Sequence, residues 1–147
     1  MSADPFIEVR EMCGRMRGIL EQMLQDAMGT GETEGSCLHA AILLSSLISR
    51  FSGGRAHVAG GGPPMDGGMR DKTGVLRGHY WVEGALAGGQ EFVADITADQ
   101  FGYEKVILLP LAEARKLYLP GNPETIAQHV AEELVACTEL VGPADMG

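Results

Sequence analysis

Residues 79 to 97 read HYWVEGALAGGQEFVADIT, two runs of β-forming residues around the short glycine link Ala87-Gly88-Gly89-Gln90. Val, Tyr, Trp, Phe and Ile favour extended backbone, and a four-residue link rich in glycine turns one strand back on the other, so the stretch predicts a hairpin. Side chains alternate across a strand. His79, Trp81 and Glu83 therefore share one face, and Tyr80 and Val82 the other. The second run places an acid, Asp95, among apolar neighbours, where its burial needs a partner.

Outward from the hairpin the pattern changes. Lys105 to Leu111 (KVILLPL) reads as a third strand, and RAHVA (55–59) as a short fourth. Upstream, CLHAAILLSSLISRF (37–51) is apolar on most faces and predicts a central helix. From Pro5 to Met28 apolar residues return every three or four positions, as on an amphipathic helix. Near the other end, Asn122 as N-cap and Pro123 at the first helical position open a helix to about Thr138. Residues 52 to 74 hold eight of the 21 glycines and a Pro-Pro pair and read as loop outside RAHVA, with the run GGGPPMDGG (60–68) expected to form a mobile flap near the mouth of any cleft. Helices, then an antiparallel sheet, then a helix make the class α+β, in one domain over 1–147.

Composition narrows the function. A formal charge of −9 without any Lys/Arg run argues against nucleic acid or an anionic membrane as partner. The longest apolar stretch, 40–48, is too short to span a bilayer. No secretory leader is visible, and three widely spaced cysteines, Cys13, Cys37 and Cys137, suit reduced thiols in a cytoplasmic setting. No Cys-x-x-Cys, His-x-x-x-His or His-x-Glu pattern occurs and the glycine run lacks the phosphate-loop ending, so no metal and no cofactor are expected.

Cys37 begins its helix, where unpaired N–H groups and the helix dipole favour a thiolate. An imidazole beside it lowers the thiol pKa further and later returns a proton. His79 at the start of a strand, with Asp95 on the next strand to orient it, supplies that imidazole. Trp81 is placed to cover the pair, and Gln100, in the turn after Asp95, to line the site. His39 lies about 200° round the helix from Cys37, and His129 is expected to face solvent.

These segments, GSCLHAAILLSSLI, GHYWVEG and FVADITADQFG, resemble the three core motifs of the transglutaminase-like branch of the papain-like cysteine enzymes. The resemblance spans roughly residues 34 to 102. It implies a papain-like core, a central helix opened by the cysteine and packed on a small antiparallel sheet. It carries over Cys37 as nucleophile, His79 as base and acid, and Asp95 as orienting carboxylate. It further implies cysteine-dependent acyl chemistry on a protein or peptide amide: hydrolysis, deamidation or transfer. The upstream glutamine that binds the oxyanion in many such enzymes has no counterpart in GTGETEGSC, so the Cys37 N–H with Thr30 or Thr33 is the expected substitute. Two other readings stand beside it: an inactive papain-like binding module, and an interaction protein using the methionine-rich first helix.

Overall fold

The computed structural model describes residues 5–28, 36–62 and 66–141, apart from the side chains of 27–28 and 136–141. Helix α1 runs Ile7–Met28 and α2 Cys37–Phe51. Strand β1 (Arg55–Gly61) follows, then β2 (Gly68–Arg70), β3 (Leu76–Arg77), β4 (His79–Ala85) and β5 (Glu91–Asp95). A 3-10 turn, Ala98–Phe101, leads to β6 (Ile107–Pro110), the single-turn α3 (Leu111–Ala114), β7 (Tyr118–Leu119) and α4 (Pro123–Val141). This is a mixed α and β fold with two small antiparallel sheets, ordered β1-β4-β5-β6 and β3-β2-β7.

The larger sheet is built on the hairpin anticipated from residues 79 to 97. Its register pairs Val82 with Ala94 and Glu83 with Val93, while β1 pairs along the whole of β4, ending at Gly61 opposite His79. Alternation then divides the core in two. On one face Val82, Phe92, Ala94 and Leu108 pack with Val9, Cys13 and Leu20 of α1 and Ala41, Leu44 and Ile48 of α2. On the other face Trp81 and Val93 pack with Met69, Ala114 and Tyr118. Full burial of Trp81, Phe92 and Tyr118 makes each worth about 3–5 kcal/mol against truncation to alanine.

The glycine-rich segment departs from its sequence reading. Part of it extends β1 to Gly61 and forms β2, whereas Gly62, Asp66 and Gly67 lie between these strands. Pro63, Pro64 and Met65, at the centre of the expected flap, lie outside the described residues. Gly67 has φ +82°, and a Cβ there would lie 2.1 Å from the Leu119 carbonyl oxygen. Glycine is needed where two backbones come this close. The small sheet β3-β2-β7 escapes prediction because its strands are two or three residues long and too short to display a period.

Helix α1 carries one buried charge on its core stripe. Arg17, 5% exposed, donates to the Ile96 carbonyl at 2.7 Å and to both Asp99 oxygens at 2.7 and 2.9 Å. Its Nε meets Glu21, four residues on, at 2.8 Å. The helix is thereby locked to the turn that follows β5. At the other end of the chain Asn122 Oδ1 accepts from the Glu124 N–H at 2.8 Å, the anticipated cap of α4. Among the described residues no helix is long and apolar enough to cross a membrane.

Candidate active site

Helix α2 packs on the Val82 face of the sheet, and its first residue, Cys37, meets the beginning of β4. Ser36 precedes the helix without a side-chain cap, and the first intrahelical bond is Ala40 N–H to the Ser36 carbonyl at 2.9 Å. The N–H groups of 37 to 39 precede that bond, and they bring a positive field to the thiol. Cys37 lies within hydrogen-bond reach of the His79 side chain and accepts from the Tyr80 backbone N–H.

Strand β4 outruns β5 here. The ladder ends at Val82 opposite Ala94, so its continuation sets Asp95 beside Trp81 and diagonal to His79, on the same face. His79 Nε2 and Asp95 Oδ2 are 2.8 Å apart, both side chains almost wholly out of solvent. Nδ1 is the nitrogen left for Cys37. The remaining Asp95 valences are filled: Oδ1 accepts from the Thr97 N–H at 2.9 Å and hydroxyl at 3.3 Å, and Oδ2 also accepts from the Tyr118 hydroxyl at 2.7 Å.

Burial and charge compete at each of the three groups. For His79 burial lowers the pKa, but the Asp95 carboxylate and then Cys37 outweigh it and raise it to about 9. For Cys37 burial pushes the thiol up, and the His79 hydrogen bond and charge with the Tyr80 N–H bring it below the usual thiol range. For Asp95 burial likewise raises, and His79, Thr97 and Tyr118 together bring it down. The arrangement favours thiolate, imidazolium and carboxylate in a row.

Around this row the side chains divide by task. Gln100, in the turn after β5, reaches the imidazole: its Nε2 lies 3.5 Å from His79 Nδ1 and donates to the Thr97 carbonyl at 3.0 Å. Phe101 sets its ring edge-on to His79, centroids 5.0 Å apart. Trp81 lies against the imidazole, where its sequence reading places it to cover the pair. It stacks behind His79 at 6.1 Å, but it is 1% exposed and its indole N–H is committed to Glu83 Oε2 at 2.8 Å. It therefore buttresses the imidazole from within the core. Glu83 in turn takes two bonds from Arg115 at 2.7 and 2.8 Å. Thr30 and Thr33 lie outside the described residues.

His129 also departs from expectation. It is half-buried, and its Nδ1 and the Tyr80 hydroxyl are 2.5 Å apart, which fastens α4 beside the start of β4. His39 faces Glu133 at 3.7 Å, and Cys13 is a core thiol that burial pushes up to about 12. Sequence reasoning missed Tyr118 as a partner of Asp95 and Arg17 as the anchor of the turn. Nothing local marks either, since their partners are 23 and 82 residues away. Among the described residues no three His, Cys, Asp or Glu side chains converge as a metal-binding set.

Comparison with known proteins returns no matching family model, no matching curated protein and no matching solved structure.

Proposed function

We propose that this protein performs cysteine-dependent acyl chemistry on an amide carbonyl, in a papain-like, transglutaminase-like core whose central helix is opened by the nucleophile. The observation that carries the reading is His79 held between two partners, Asp95 on Nε2 and Cys37 on the other side of the ring. A histidine serving only the core does not need both a buried carboxylate and a thiol at a helix start.

In the proposed mechanism the Cys37 proton resides on His79 Nδ1, and the thiolate attacks the carbonyl carbon. The Cys37 backbone N–H and the Gln100 amide Nε2 donate to the oxyanion as it forms. Collapse of the tetrahedral intermediate breaks the C–N bond, His79 delivers its proton to the leaving nitrogen, and a thioester remains on Cys37. His79, now neutral, takes a proton from the incoming water or amine, which attacks the thioester and releases the thiol. Water makes the reaction proteolysis or deamidation; an amine makes it transfer. Asp95 keeps the ring oriented and stabilises its charge throughout. A protein or peptide substrate, no cofactor and a reducing compartment such as the cytoplasm complete the reading.

The test is the rate of Cys37 alkylation by iodoacetamide against pH, followed by mass spectrometry of the labelled peptide. The expected result is reaction well below the ordinary thiol pKa of about 8.5, with that advantage abolished in His79→Ala. A Cys37 that is protected, or that titrates as a free thiol with and without His79, overturns the proposal and leaves a binding role.

A further inference from the structure

A cavity of about 410 Å³ opens beside the trio, lined by Asp71, Lys72, Thr73, Arg77, Gln100 and Phe101. Two of its walls are shared with the site: Gln100, 3.5 Å from His79 Nδ1, and Phe101, edge-on to the same ring. A substrate that approaches Cys37 past Gln100 has this space available for a neighbouring group. The remaining walls come from the turn joining β2 to β3.

The charge of the cavity is uneven. Asp71 is spent on its own turn: its carboxylate accepts from the Thr73 N–H at 2.9 Å, the Thr73 hydroxyl at 2.6 Å, the Val75 N–H at 3.1 Å and Arg77 Nε at 2.8 Å. Those bonds, first the Thr73 hydroxyl and then Arg77, hold it well below the usual carboxylate range. Arg77 uses only Nε there, and its two terminal nitrogens have no partner among the described residues. The Lys72 ammonium lies 4.3 Å above the Tyr103 ring, and no carboxylate pairs with it among the described residues. Two cations against one occupied anion give a positive spot on a chain of net charge −9, and fields of this kind select ligands by sign.

We infer that this cavity is the subsite for a carboxylate-bearing side chain next to the carbonyl that Cys37 attacks, with Lys72 and Arg77 as the groups that read it. The inference rests on the proposed thiol chemistry and adds the class of substrate, an acidic peptide segment.

The experiment compares two alkylating probes that differ in one group, chloroacetyl-glutamate amide and chloroacetyl-glutamine amide, with iodoacetamide as a small neutral control. Second-order rates of Cys37 labelling are measured at pH 7 and low salt. The glutamate probe is expected to react about two- to fivefold faster than its neutral counterpart, as an exposed ion pair allows. Lys72→Glu should erase or invert the ratio, Lys72→Arg should keep it, and added salt should shrink it. Lys72 is exposed, so neither substitution disturbs the core. Equal rates for the two probes, or a ratio indifferent to Lys72→Glu, overturn the subsite while iodoacetamide still labels Cys37. Failure of iodoacetamide itself to label Cys37 overturns the underlying chemistry, and the subsite with it.

Discussion

Tyr118 and His79 share one oxygen of Asp95. The phenol donates to Oδ2 at 2.7 Å and the imidazole Nε2 meets it at 2.8 Å, so β7 of the small sheet supports a residue of the large one. Burial and the Asp95 charge hold Tyr118 in its protonated, donating form. Tyr118→Phe removes the donor and keeps the ring packed on Trp81, 5.1 Å away. The expected cost is about 1–3 kcal/mol, read by urea unfolding, because the bond is to a charged group. An unchanged midpoint would show that the bond contributes nothing.

Asp95→Asn tests the orientation of the imidazole. Against the desolvation that lowers its pKa, the Asp95 charge is the first of the influences that keep His79 near 9. With an amide in its place the His79 pKa falls, the imidazolium is depleted at neutral pH and the thiolate loses its counter-ion. Iodoacetamide labelling of Cys37 at pH 7 should slow by about tenfold, the effect of one pKa unit, with the rate recovering toward pH 9.

The pH dependence of stability has a definite sign. His79 has a folded pKa of about 9 against 6.5 unfolded, so its stabilisation is complete below pH 6.5 and is lost as pH rises toward 9. Cys37 is lowered in the fold, and its contribution runs the other way, lost as pH falls from the unfolded thiol value. Asp95, also lowered, contributes above its unfolded pKa of 3.8 and loses that only in acid. In Cys37→Ala the opposing thiol is gone. Its unfolding free energy should decline as pH rises above 6.5, at no more than about 1.4 kcal/mol per pH unit, over a window that ends short of 9 because the Cys37 contribution to the His79 pKa is gone. Adding His79→Ala should flatten the curve.

Arg17 and Asp99 are expected to be coupled. The bidentate pair joins α1 to the turn that carries Gln100, and the Arg17 side chain is 6% exposed against 29% for Asp99. Asp99→Asn should cost about 1.5–3 kcal/mol. A double-mutant cycle with Arg17→Met should return an interaction energy of about 1 kcal/mol or more. Additive losses would mean that the Ile96 carbonyl and Glu21 hold Arg17 unaided.

Gly67→Ala probes the crossing of β2 and β7. Its positive φ, and a Leu119 oxygen only 2.1 Å from where a Cβ would stand, leave no room for a methyl group. The backbone strain alone is about 1–3 kcal/mol. Thermal unfolding should show at least that loss, whereas Gly74→Ala, strained by φ +86° but facing open space, should lose less.

Much of the fold is legible in local pattern. The three long helices begin where Pro5, Cys37 and Pro123 predict, and β4 and β5 form the hairpin read from their alternation. Features whose cause is remote do not show. The β-strand at Gly68–Arg70 exists because backbone from Leu76–Arg77 and Tyr118–Leu119 lies on either side of it. The burial of Arg17 depends on a turn that closes against it, since on the helix alone it resembles any exposed arginine. Alternation puts Trp81 on the same face as His79, but its depth comes from the small sheet covering it.

The long helices, the hairpin of β4 and β5 and the candidate trio were legible in the sequence, because periodic burial and helix starts depend on neighbours a few positions apart. Only the tertiary structure decided that the trio meets. The register of β4 on β5 puts Asp95 diagonal to His79, and the packing of α2 on that sheet brings Cys37 to the strand's first residue. Register and helix docking arise from side chains far apart in the chain, so no local pattern encodes them. The same holds for Tyr118 on Asp95 and for the cavity that Lys72, Arg77 and Gln100 share.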